Sequence, residues 1–215
     1  MSCAGTEEDI QYINAKMDTH LSVCADCKDE GMIIDIRGTN GSGKSHIVHE
    51  ILRRHPVTGG FVVEANGDTA DVLHVEPLNL FILGDYDKVC GGCDGIPTQD
   101  LIEACVREFA DKGTVLLEGL LVGHTFERWN RLAMDLQPIP YKFLFLDTPE
   151  QVCIDRVKAR RLARGNDKPY DPKNLTKDWH QCRRVKERLE QAGRDVAWLR
   201  HESAPADVLR MVTPR

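Results

Sequence analysis

The chain has 215 residues, 41% of them hydrophobic, and a net charge of −6. That is enough apolar material for one domain of ordinary size, and no run approaches the ~20 apolar residues of a membrane-spanning helix. The start, MSCAGTEEDI, is acidic and has neither the basic nor the apolar region of a signal peptide, so a cytoplasmic protein is expected, with its eight cysteines as thiols or metal ligands rather than disulfides. Residues 151–200 hold 14 Lys/Arg and 7 Asp/Glu, a balance of +7, which leaves −13 on the other 165 residues. A basic segment on an acidic body points to a focused anion site, against the plainer reading of an Arg-rich solvated helix face.

Residues 1–30 read as an N-terminal extension, a helix plus a loop, ahead of a single domain over 31–215. Ile33 to Ile36 reads as a buried strand, and it runs into Gly38-Thr39-Asn40-Gly41-Ser42-Gly43-Lys44-Ser45, a G-x-x-x-x-G-K-[ST] sequence (Walker A). Ile47, Val48, Ile51 and Leu52 then fall at helical spacing, with a stop near His55 because Pro56 cannot continue the helix. Strand, glycine loop and helix in this order make a nucleotide-phosphate loop. The glycines let backbone N–H groups turn inward on phosphate oxygens, and the helix N-terminus adds its positive end. The expected ATP contacts are Gly38, Asn40, Gly41, Ser42, Gly43, Lys44, Ser45 and His46, with Lys44 on the β/γ-phosphates and the Ser45 hydroxyl on Mg²⁺.

Phe61–Ala65 and Val72–Val75 should pair as a hairpin across Asn66-Gly67-Asp68, an insertion over about 61–76. Asn79–Leu83 reads as a strand leading into GDYDKVCGGCDGI, residues 84–96. Leu101, Cys105 and Phe109 predict a helix capped by Thr98. Val115–Leu117 and Lys142–Leu146 are further buried strands, ending at Glu118 and Asp147. Thr148-Pro149-Glu150-Gln151 predicts a capping box, with Thr148 as N-cap, Pro149 at N1 and Gln151 at N3. The helix that follows carries Arg156, Arg160, Arg161 and Arg164 and runs into a polar loop, a lid over about 160–175. Trp179, Cys182, Val185 and Leu189 predict another helix, and Val196–Leu199 a last strand. Alternating strands and helices give an α/β fold of three layers, a parallel sheet with helices on both faces and an Arg-rich lid.

In such a sheet, ligands bind outside the carboxyl ends of the strands. Asp85, Glu118 and Asp147 stand at three of those ends. Glu118 is expected, with Ser45, to hold Mg²⁺; Asp85 is the expected general base; Asp147 is expected mainly to organise the next helix start. Arg156, Arg160 and Arg164, four residues apart, can face one anion, and Arg160 and Arg164 are the expected catalytic clamps beside Lys44. Cys24-x-x-Cys27 and Cys90-x-x-Cys93 suggest a four-cysteine zinc site. If their strands are parallel, however, the pairs lie about 17–20 Å apart at opposite strand ends, far beyond a Zn–S bond of about 2.3 Å. Cys90-Gly91-Gly92-Cys93 is better read as a tight loop that closes on a ring or a phosphate. The expected acceptor contacts are Tyr86 as a stacking surface, Asp87, Cys90, Gly91, Gly92, Asp94 and, should the acceptor be a nucleotide, Arg128.

From Met32 onward the chain resembles the small P-loop kinases of the nucleoside/nucleotide kinase superfamily, through GTNGSGKS, the LLEG strand end, FLFLDTPE and RVKARRLARG. The resemblance implies that the acid ending the second core strand, here Asp85, activates the acceptor hydroxyl. GDYDKVCGGCDGI resembles, more narrowly, phage-type P-loop kinases that phosphorylate 5-hydroxymethyluracil in DNA during thymidine hypermodification. The D-R-[YF/H] signature of thymidylate kinases and the E-x-W segment of deoxynucleoside kinases are absent, which weakens those two assignments. The function implied is ATP-dependent transfer of the γ-phosphate to the hydroxymethyl group of 5-hydroxymethyluracil in phage DNA, in the host cytoplasm. The alternatives are a nucleoside monophosphate or deoxynucleoside kinase, and a nucleotide-dependent binding switch. The expected partners are ATP with Mg²⁺ and a nucleobase- or nucleotide-type acceptor, DNA among them, with no membrane and a homodimer left open.

Overall fold

The computed structural model describes residues 31–87 and 91–213. Seven strands form one sheet: β1 (Ile33–Arg37), β2 (Gly59–Ala65), β3 (Asp68–Val75), β4 (Leu80–Leu83), β5 (Thr114–Glu118), β6 (Tyr141–Leu146) and β7 (Asp195–Leu199). Their order is β2-β3-β4-β5-β1-β6-β7. The run from β4 to β7 is parallel, and β2 and β3 add an antiparallel hairpin at one edge. The hairpin turns on Asn66 and Gly67, both at positive φ (53° and 81°), as a two-residue turn between right-twisted strands requires. β4 starts one residue later than the sequence suggests, because Asn79 adopts φ 44° and cannot lie in a strand.

Side-chain alternation divides the core in two. Ile33, Phe81, Leu83, Val115, Leu117, Phe143 and Phe145 face one layer of helices, formed by α2 (Gln99–Phe109), α4 (Glu127–Asp135) and α6 (Lys173–Gln191). Ile34, Ile36, Leu80, Ile82, Leu116, Leu144 and Leu146 face α1 (Lys44–Arg54) and α7 (Ala204–Val212). Strands buried on both faces need apolar side chains at both parities, which is why β4 and most of β5 and β6 read as apolar runs, whereas β1 carries Asp35 and Arg37 among its isoleucines. Thr98 caps α2 as expected, its hydroxyl accepting from the Leu101 N–H at 3.2 Å. The helix α3 (Leu120–His124), α4 and α7 are short or lack a strong start signal, and the pattern reading did not delimit them.

Among the described residues, one ion pair lies wholly inside. Arg37 and Asp35, both 0% exposed, meet at 2.7 Å, and the Tyr141 hydroxyl donates to the same Asp35 oxygen at 3.3 Å. Arg37 Nη1 also donates to the Thr125 carbonyl at 3.3 Å, tying the end of α3 to β1. Breaking such a pair strands a charge in a low-dielectric interior, at a cost of about 3–5 kcal/mol.

The capping box before α5 (Glu150–Ala163) is corrected. The helix starts at Glu150 with Pro149 in the N-cap position and no side-chain cap. The Thr148 hydroxyl instead donates to the Ser42 carbonyl at 2.8 Å, so it braces the phosphate loop. Gln151 bonds Asp155 on its own helix. The segment between α5 and α6, residues 164–172, is largely exposed and lies within the stretch 160–175 where a lid is expected. Residues 1–30, including the expected N-terminal helix and Cys24 and Cys27, lie outside the described residues, as does Cys90.

Candidate active site

The phosphate loop leaves β1 and enters α1 without a break. Gly41 and Gly43 sit at φ 78° and 110°, so the chain curls in a conformation that side-chain-bearing residues resist. A Cβ at Gly41 would lie 2.5 Å from the Cys153 carbonyl, so α5 packs directly on the curl. α1 has no side-chain cap and no acid in its first turn, which leaves its N-terminal amides and positive end facing the curl. The Thr39 and Ser42 hydroxyls are buried without hydrogen-bond partners among the described residues. Lys44 is 6% exposed and turns back onto the Gly38 and Thr39 carbonyls (3.0 and 3.4 Å). Uncapped amides, unpaired hydroxyls and a buried ammonium make a cradle suited to phosphate oxygens.

Glu118 ends β5 beside this cradle, 1% exposed. It accepts from the Ser45 hydroxyl at 2.7 Å, and its other oxygen is 4.0 Å from Lys44 Nζ. Burial pushes its carboxyl above the usual range; the Lys44 charge and the Ser45 hydrogen bond oppose that shift. Two hard oxygen donors 2.7 Å apart, one of them acidic, fit Mg²⁺.

The stretch 84–96, the expected acceptor loop, meets the same carboxylate at Gly92. Gly92 has φ 63°, and a Cβ there would lie 2.6 Å from Glu118 Oε1; a Cβ at Gly84 would lie 2.4 Å from the Gly92 carbonyl. The glycines thus allow the loop to close against Glu118, not against open space. Asp85 is half-buried at the end of β4, and one of its oxygens accepts from the Asp87 N–H at 2.8 Å; Asp87 itself is exposed. Tyr86, expected as a stacking surface, is 7% exposed, with its ring edge-on to His49. Its hydroxyl lies near Glu118 without a hydrogen bond of normal geometry, and burial raises its pKa well above the ordinary value. Asp94 accepts from the Leu120 N–H (2.8 and 2.9 Å) and the Leu121 N–H (3.3 Å), which links the loop to α3. Cys93 is buried in the core, and burial drives its thiol well above the usual range.

The basic residues divide. Arg156 Nη1 donates to the Gly41 and Ser42 carbonyls (3.2 and 3.3 Å), clasping the phosphate loop from outside. Arg160 and Arg164, one and two turns further on, are exposed. Arg128 pairs with Asp100 and Glu103 of α2 at 2.6 and 2.7 Å. Asp147 pairs with Arg183 at 3.1 Å. His46 is exposed at the start of α1. Sequence reasoning gave no role to His124, nor to Thr148 and Arg156 as supports of the loop. Thr148 carried a signal, a polar residue at a strand end, but it was spent on a cap.

A parallel sheet with a phosphate loop after its central strand, and an acid from the neighbouring strand on that loop's serine, defines a P-loop nucleotide-binding fold. A model of the 5-hmdU DNA kinase family matches residues 17–196, and the chain belongs to that family. A 5-hmdU DNA kinase of Pseudomonas phage PaMx11 is 34% identical over 75% of this chain and 86% of its own length. One of Delftia phage PhiW-14 is 30% identical over 67% of this chain and 59% of its own. Among solved structures, one from a study of the PezAT toxin–antitoxin system of Streptococcus pneumoniae superposes with a TM-score of 0.50. It is 15% identical over 86% of this chain and 78% of the other, a likeness of fold alone. Among the described residues no helix is long and apolar enough to cross a membrane.

Proposed function

We propose that this protein transfers the γ-phosphate of ATP to the hydroxymethyl group of 5-hydroxymethyluracil in DNA. The observation that carries this reading is the closure of the acceptor loop on Glu118 beside the phosphate loop, in a member of a family described as 5-hmdU DNA kinases. An alcohol acceptor must lose a proton, and Asp85, at the mouth of that loop, is the base assigned here.

In this reading the Gly38–Ser45 loop amides and Lys44 hold the β- and γ-phosphates, with Asn40 and His46 at the rim. Ser45 and Glu118 would hold Mg²⁺, which supplies positive charge against the phosphate oxygens. Asp85 takes the proton of the hydroxymethyl group as its oxygen bonds to the γ-phosphorus. The bond to the β,γ-bridging oxygen breaks and ADP leaves. Arg160 and Arg164 act from the lid once it closes over the γ-phosphate, excluding water. Asp87, Gly91 and Gly92 line the acceptor's approach.

DNA is drawn to the basic segment 151–200 over a small footprint, and binding weakens steeply with salt. The test is a panel of acceptors with labelled ATP: DNA carrying 5-hydroxymethyluracil, unmodified DNA, nucleosides and nucleoside monophosphates. Label entering only the modified DNA supports the reading. Label entering a monophosphate overturns it in favour of a nucleotide kinase, and tight ATP binding with no transfer to any acceptor points to a switch.

A further inference from the structure

His124 ends α3 where that helix meets the phosphate loop. A Cβ on its neighbour Gly123 would lie 3.8 Å from the Gly38 nitrogen and 3.7 Å from the Cys182 sulfur, so α3, α6 and the first residue of the phosphate loop are in contact. The His124 carbonyl is fixed by Gln181 of α6 (3.3 Å), and the next residue by Arg37 through the Thr125 carbonyl. The imidazole Nδ1 faces Asp178 Oδ1 at 3.9 Å, while Nε2 is buried with no hydrogen-bond partner among the described residues. Lys44, the phosphate-loop lysine, is close enough for its charge to act on the ring, and so are Asp94 of the acceptor loop and Asp178.

A buried ring nitrogen without a partner, beside an anion cradle, is incomplete until a ligand arrives. Phosphate oxygens only accept hydrogen bonds. Asp178, 3.9 Å from Nδ1, favours the imidazolium, in which both ring nitrogens donate. We propose that His124, as the imidazolium oriented by Asp178, donates from Nε2 to the phosphoryl group in transfer.

In the ligand-free protein, burial lowers the His124 pKa first, and the Lys44 charge adds to that; the carboxylates of Asp178 and Asp94 oppose it. Before ATP binds, the ring therefore holds its second proton less tightly than a free imidazole does. Phosphate charge then raises its proton affinity, so filling the site takes up a proton. Transfer is supported below the pKa of the complex and is lost as pH rises through it.

This inference rests on the kinase reading above, and the experiment separates the two. kcat and KM are measured for wild type, His124→Ala, His124→Gln and Asp178→Asn from about pH 6 to 9, with thermal unfolding of each. Expected are a loss of about 10²-fold in kcat for His124→Ala with the KM for ATP little changed, and a flattened alkaline limb for His124→Gln, whose amide donates without titrating. Asp178→Asn should move that limb to lower pH. If wild type phosphorylates the modified DNA while His124→Gln and Asp178→Asn keep the wild-type limb, or His124→Ala keeps full kcat, the His124 proposal is overturned and the kinase reading stands. If wild type uses a different acceptor, only the acceptor reading falls, and the same profile taken on that acceptor decides His124.

Discussion

The phosphate loop and the acceptor loop lie against the same carboxylate, yet they are held in different ways. The phosphate loop is a local object: its glycines take positive φ, its lysine returns to its own carbonyls, and Thr148 and Arg156 only buttress it from outside. The acceptor loop takes its shape from distant segments. Gly92 closes on Glu118, and Asp94 on the first amides of α3. A motif with internal contacts can be recognised anywhere, whereas a loop moulded by its neighbours carries meaning only within its fold.

Breaking the local object should have the largest effect. Lys44→Ala is expected to lower transfer by about 10³-fold and weaken ATP binding, read by kinetics and nucleotide titration; activity within a few-fold of wild type would mean that the cradle works without its charge. Asp85→Asn should reduce transfer by about 10²–10³-fold with ATP affinity intact. Near-normal turnover in that variant would remove the base from the acceptor loop and favour an acceptor that is already an anion.

Gly92→Ala tests the moulded loop. A methyl would meet Glu118 at 2.6 Å in a left-handed conformation, so a stability loss of about 1–3 kcal/mol by denaturant unfolding is expected, together with impaired transfer. Unchanged stability would show that the loop does not press on Glu118.

The smallest effect concerns Glu118 itself. Its folded pKa lies above the unfolded value because of burial, so the folded state binds its proton more tightly. Its contribution to stability is present at low pH and is lost as pH rises through the raised pKa. Relative to Glu118→Gln, wild type without nucleotide should lose melting temperature across that window, and Mg·ATP should restore it by neutralising the carboxylate. A constant difference between the two proteins at all pH values would contradict a buried, ionisable Glu118.

The alternation of apolar strands with amphipathic helices, the glycine-lysine-serine loop and the Asn-Gly hairpin could all be read from residue order, since each depends on neighbours a few positions away. Glu118 and Asp85 could be marked as candidates because each follows an apolar strand. Thr148 was misread because a Thr-Pro-Glu-Gln run satisfies a local rule, while its hydroxyl finds a partner 106 residues away. Tyr86 reads as exposed within a polar stretch, but it folds inward against α1. The arginine row shares a helix face, yet only Arg156 stands close enough to the helix start to reach the loop.

Residue order therefore settled the fold class, the nucleotide cradle and which strand ends carry acids, because backbone conformation and apolar periodicity are short-range. Folding alone settled which of those polar groups meet: Ser45 with Glu118, Asp94 with α3, Arg128 with α2, and the unpaired Nε2 of His124 beside the phosphate loop. These meetings join residues far apart in the chain, and close packing at the carboxyl ends of the strands, not local preference, sets their distances.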